Sequence, residues 1–143
     1  GRAKPGAAIF ISVMNRPAVL SLCVKDFKKY VQGDTDKQKK NFWNESFKFF
    51  DSGDDYRFCG CSYANFFWPS ELKDLVLKTA KNTKLLHQVA LEWPTQNTHE
   101  EFNEISKNKL YYKKWLDLHF AVCENPDMLG LSAHIMIVVQ KNK

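Results

Sequence analysis

The sequence predicts an α+β fold: a single-domain sandwich in which helices pack on a mixed sheet of about four to five strands. Three observations carry this. Apolar residues at 84–93 recur with a period of two, the signature of a strand. Leu72, Leu75, Val76 and Ala80 lie on one face of a helix. Segments of the two kinds then alternate along the chain, which favours layered α and β structure. The organising unit is a central strand-helix-strand at 56–93. Its first strand, 56–63, is aromatic and bracketed by Gly53 and Pro69. If its two strands are parallel, the crossover between them is right-handed.

The remaining elements follow in order. The run 7–14 (AAIFISVM) is a nearly continuous apolar strand. Asn15, Arg16 and Pro17 supply a cap and a first-turn proline. Leu20, Cys23, Val24, Phe27, Tyr30 and Val31 then hold helical spacing, so 17–32 reads as a helix ended by Gly33. A second helix spans 34–52, with Trp43, Phe47 and Phe50 on one stripe and Phe42 and Phe49 beside it. Residues 52–55 (SGDD) form a turn. Ser70 caps the central helix. Strand 84–93 follows, apolar on both faces and therefore expected at the sheet centre. Thr98 and Glu101 match a capping box that opens a short helix facing in through Phe102 and Ile105. Leu116, Leu118, Phe120 and Val122 alternate with polar or small residues, which predicts a strand at 115–122. Residues 124–129 are a loop, and 132–140 a last strand. The expected core includes Phe27, Leu75, Leu85, Val89, Leu91 and Ile137.

The 143 residues suit one domain, 1–143, with 1–6 flexible at its start. Because residue 1 is Gly and not Met, the chain reads as excised from a longer protein. At 44% hydrophobic and 14% aromatic, it carries enough apolar side chain for a packed core. No apolar run reaches the roughly 18 residues that span a bilayer. The four cysteines, Cys23, Cys59, Cys61 and Cys123, are too sparse for a disulfide scaffold. They read as reduced thiols of an intracellular protein, cytoplasmic or nuclear.

Catalysis and metal binding find little support. Cys59-x-Cys61 has no second ligand pair, so no metal or cofactor is assigned. Histidines His87 and His119 fall on predicted strands, His134 beside one, and His99 in a first helical turn. Paired-histidine phosphoesterase chemistry wants a hydroxyl two residues after each His, where this chain has Ala121 and Met136. A Cys-His pair lacks supporting neighbours. A metal-dependent nuclease built on Asp127 and Lys141 lacks its second carboxylate, because Val139 stands there. No Gly-rich phosphate loop occurs. No catalytic residue is assigned, and an enzyme with a His or Cys site ranks third among the functions.

Two binding functions remain. Phe66, Phe67 and Trp68 concentrate aromatics in a predicted loop, where such residues dock a partner or fold back on the core. This favours a non-catalytic interaction domain that binds a protein. The formal charge of +5 and the run Lys107, Lys109, Tyr111, Tyr112, Lys113, Lys114 give the alternative, an RNA or single-strand-binding domain. There basic residues track phosphates and tyrosines stack bases.

Overall fold

The computed structural model describes residues 3–18, 24, 28, 35–55, 64–93 and 98–142. Strand 56–63, most of helix 17–32, Phe27, Cys23, Cys59 and Cys61 lie outside the described residues. The elements are β1 (Ala8–Met14), α1 (Asp36–Ser52), β2 (Asp54–Asp55), β3 (Ala64–Asn65), α2 (Pro69–Thr79), β4 (Thr83–Ala90), α3 (His99–Lys107), α4 (Lys109–Val122), α5 (Pro126–Leu129) and β5 (His134–Lys141). The α+β class holds. The sheet differs from expectation: among the described residues it has three strands, ordered β1-β5-β4, and both pairs are antiparallel. A separate two-residue ribbon joins β2 to β3.

The centre of the sheet is β5 and not the strand at 84–93. Residues of β5 are apolar on both faces, with Ile135, Ile137, Val138 and Val139 all buried. On β4 the apparent two-sided pattern breaks, because Leu86 is an extra residue between the pairs Leu85–Val139 and His87–Val138. Such a bulge adds one residue and shifts every later side chain by one face. Lys84, Leu86 and His87 are exposed, as suits an edge strand. Leu85, Val89 and Leu91 are accordingly half-buried and not core residues.

One sheet face carries the core. Ile135, Ile137 and Val139 pack against Leu72 and Val76 of α2, with Ile9, Ile11, Val13, Phe67 and Leu85 around them. The inward stripe of α2 passes through Leu72 and Val76, four residues apart. Leu75 sits off that stripe and is 48% exposed, contrary to expectation. Leu75→Ala should therefore change stability by about 1 kcal/mol or less. A drop of several kcal/mol in urea unfolding would contradict this packing.

The faces of two helices also correct the sequence reading. On α1 the buried aromatics are Phe42 and Phe49, while Trp43 and Phe47 are exposed. Phe49 meets Phe66 edge-to-face at 5.2 Å. The predicted strand 115–122 is helical. Asn108 caps α4, its Oδ1 accepting from the N–H groups of Leu110 and Tyr111 at 2.9 and 3.3 Å. Val122 is the sole β-branched residue among the 14 of α4, and half of them are the strong helix formers Lys, Leu and Ala. Helical spacing is also present: Tyr112, Trp115 and His119 line one face, and Tyr112 and Trp115 meet Phe102 of α3. Residues 124–129 contain the short helix α5, capped by Asn125. Among the described residues no helix is long and apolar enough to cross a membrane.

Candidate functional site

The site is built on the start of α2. That helix begins one residue before the expected cap, with Pro69 at its first position and Trp68 as N-cap. The indole cannot accept a hydrogen bond, so Glu71 does the capping: its Oε2 accepts from the Trp68 N–H at 3.1 Å. The same oxygen accepts from Arg16 Nη2 at 2.8 Å.

Arg16 is buried and ties four segments together. Its Nε and Nη2 donate to the Phe66 carbonyl at 3.2 and 3.0 Å. Its Nη1 donates to the Phe50 and Asp51 carbonyls at 3.0 and 3.3 Å, at the end of α1 where carbonyls lack helical partners. Its guanidinium also lies 5.5 Å from the Trp68 ring centre. Gly53 stands against this hub at φ +79, and its carbonyl accepts from the Phe66 N–H at 2.7 Å. In the sequence Arg16 reads as no more than a residue between a strand and a helix. A lone Arg after an apolar strand carries no motif.

A groove of about 570 Å³ opens beside Trp68. Trp68, Pro69, Ser70 and Lys73 of α2 form one wall. Leu85 to Gln88 of β4 form the floor, and Glu124, Pro126 and Leu129 the other wall. Two bonds hold the parts in place. Gln88 Nε2 donates to the Pro69 carbonyl at 2.6 Å. Asn15 Nδ2 donates to the carbonyls of Leu129 and Ser132 at 2.6 and 2.8 Å. Across the groove, His87 Nδ1 lies 3.0 Å from Glu124 Oε1, both side chains about half-exposed.

The three aromatics read as a partner patch therefore divide. Phe66 is 2% exposed and belongs to the core with Phe49. Phe67 is half-buried, and its backbone bridges β1 next to Asn15. Trp68 is half-buried and lines the groove.

The basic-aromatic run lies at the end of α3 and along α4. Lys107 pairs with Glu104, and Lys113 with both oxygens of Asp117 at 3.1 Å. Lys109 and Lys114 are exposed. Tyr112 stacks near Trp115 with planes 12° apart yet is 38% exposed, and Tyr111 is 60% exposed. From His99 to Val122 four lysines face four carboxylates (Glu100, Glu101, Glu104, Asp117), so this hairpin has no net formal charge.

The histidines do not converge. His119 is on a helix and not a strand; its Nδ1–H donates to the Trp93 carbonyl at 3.0 Å, and its ring stacks on Trp115. His134 Nδ1 pairs with Glu92, whose Oε2 also accepts from the His134 N–H at 2.8 Å. Ser132 adjoins them, but it is fully buried and its Oγ accepts from the Glu92 N–H at 2.9 Å. A nucleophile needs a base on its hydroxyl and access to substrate. Ser132 has neither. Among the described residues no three His, Cys, Asp or Glu side chains gather at one point.

Cys123 is a buried free thiol at the end of α4. Burial, reinforced by the Glu124 carboxylate, pushes its pKa up against a smaller opposing backbone hydrogen bond. Folding thus favours the neutral thiol. The stability it contributes is whole below the unfolded thiol pKa, about 8.5, and is lost as pH rises through the folded value. Tm should fall above about pH 8.5, less so in Cys123→Ser. Equal alkaline slopes for the two proteins would refute this.

No protein-family model matches the chain, and no curated protein matches it.

Proposed function

We propose that the chain is a non-catalytic, intracellular interaction domain that binds a protein partner in the groove beside Trp68. The observation that carries this reading is the groove itself. It is a concave site walled by two helices, in which apolar residues are interleaved with Ser70, Lys73, His87, Gln88 and Glu124. Its walls are fixed by the Arg16 and Asn15 bonds, so little ordering accompanies binding. The sparse cysteines and the free Cys123 thiol suit a reducing compartment.

The second reading, RNA or single-strand binding through 107–115, draws on Tyr111, Lys109 and Lys114. Against it stand the neutral hairpin, the two paired lysines and the stacking of Tyr112 beside Trp115. Such binding rests on phosphate neutralisation, and this surface has little charge to spend on it. The third, an enzyme with a His or Cys site, draws no support from the scattered histidines.

The test places a photo-crosslinking amino acid at position 68, and separately at 111 and 81, in native cells. Protein adducts at 68 and none at 81 are expected. RNA adducts at 111 without protein adducts at 68 would reverse the ranking.

A further inference from the structure

We infer that the outer edge of β1 pairs with the same edge of a second copy of this chain, antiparallel about a two-fold axis at Phe10. The two three-stranded sheets then join into one across the dimer. This goes beyond the groove. β1 is the sheet edge opposite β4, so the groove of each copy stays open.

The backbone prepares the edge. On the inner side, Lys141 N–H donates to the Ala7 carbonyl at 3.0 Å, and Asn15 N–H to the Ala133 carbonyl at 2.8 Å. Inward and outward residues alternate in an antiparallel ladder. Ala8, Phe10, Ser12 and Met14 therefore turn their N–H and C=O outward, and the Met14 carbonyl accepts from the Phe67 N–H at 3.1 Å. Nothing among the described residues meets the outward groups of Ala8, Phe10 and Ser12. The strand also lacks the features that keep edges apart: it pairs with β5 without a bulge from Ala8 to Met14, and it holds no proline or charge. The β4 edge has a bulge, Lys84 and the Cys123 carbonyl bonded to Ala90. Pairing therefore closes at two copies and does not run on into a filament.

Register identifies the occupant. With Phe10 opposite Phe10, Ala8 stands opposite Ser12 at both ends, and every outward group of the three residues finds a partner. A slip one way sets Ser12 against Gly6, whose N–H is held by the Lys141 carbonyl at 2.8 Å. A slip the other way sets Ala8 against Met14, whose carbonyl is held by Phe67. Gly6, at φ +81, turns the chain toward Lys141, which ends the paired stretch before Phe67 of the second copy.

The side chains match as well. Phe10 is 65% exposed and meets its counterpart as a cross-strand aromatic pair. On the other face, Ile9 stands opposite Ile11 of the second copy in the closely spaced pairs that lack ladder bonds. Both isoleucines are half-buried at the rim of the core, because α2 lies chiefly over β4 and β5. Pairing extends that apolar face across the axis.

The test is sedimentation equilibrium of the whole chain over a concentration series, with Phe10→Lys beside it. A monomer–dimer equilibrium is expected. Phe10→Lys should raise the dissociation constant about a hundredfold or more by setting two lysines face to face. Its circular dichroism should not change, because the position is exposed. Under mild oxidation Phe10→Cys should form disulfide-linked dimers beyond the level of the parent chain. Ser12→Cys should do so only when mixed with Ala8→Cys. A chain that stays monomeric throughout would overturn the proposal and leave the edge to a strand of another protein. So would a dimer that Phe10→Lys leaves intact, or one that cross-links at 12 alone as readily as at 10.

Discussion

Gly53→Ala should lower the unfolding free energy by about 2–5 kcal/mol, combining the left-handed backbone penalty with overpacking. Gly53 has φ +79, a conformation that costs any residue with a Cβ. A Cβ there would lie 2.3 Å from Arg16 Nη2 and 2.3 Å from the Phe66 carbonyl oxygen. The guanidinium can shift only by giving up its bonds to that carbonyl. The carbonyl is backbone and is held by Arg16 as well. Urea denaturation monitored by circular dichroism checks this. A midpoint within error of the parent chain would show that Arg16 and Phe66 do not crowd Gly53.

Arg16→Ala should cost about 3–5 kcal/mol, the range for breaking a buried charge network. The loss is concentrated in the carbonyls of Phe50, Asp51 and Phe66, which would be left short of donors. The Glu71 pair contributes less, because that carboxylate is 45% exposed and water replaces the lost partner. Arg16→Lys should recover only part, since an ammonium cannot serve three directions with a planar fork. The Gly53→Ala and Arg16→Ala effects should not add. Removing the guanidinium relieves one of the two clashes, so the double variant should be more stable than the sum of the two losses implies. Trp68 emission reports the local consequence. It should shift red in Arg16→Ala as the start of α2 loosens.

These two positions show where sequence reasoning reached and where it stopped. The helix at α2, the strands β1 and β5 and the α+β class all follow from periodicity, because their inward faces are apolar for several turns. Strand 84–93 was legible as a strand but not as an edge. Its bulge at Leu86 keeps the alternation visible while moving later side chains to the other face. At 115–122 two periods coexist in the same letters. The cap that decides for helix, Asn108, lies seven residues before the stretch in question. On α1 nearly every position of 42–50 that packs is aromatic, so composition could not choose the face. Of the groove's lining, only Trp68 falls in the aromatic run 66–68 read from sequence as a partner patch. The groove's remaining walls come from 69–73, 85–88 and 124–129, brought together by Gln88 and Asn15. Hydrogen bonds over such separations leave no local pattern. Arg16 is the clearest case, since the five hydrogen bonds of its side chain reach four partners 34 to 55 residues away.

That the partner is a protein, and that the lysines at 107–114 mainly solvate, is tested most directly by anisotropy of a labelled short single-stranded RNA titrated with the chain across a salt series. The account predicts negligible binding near physiological salt, with no difference between the parent chain and Lys113→Glu/Lys114→Glu. Measurable affinity would contradict it if log affinity fell against log salt by about 0.7 per phosphate contact, and if the double lysine change abolished binding. A loss of about 1–3 kcal/mol on Tyr111→Ala would then assign base stacking to the exposed ring of α4.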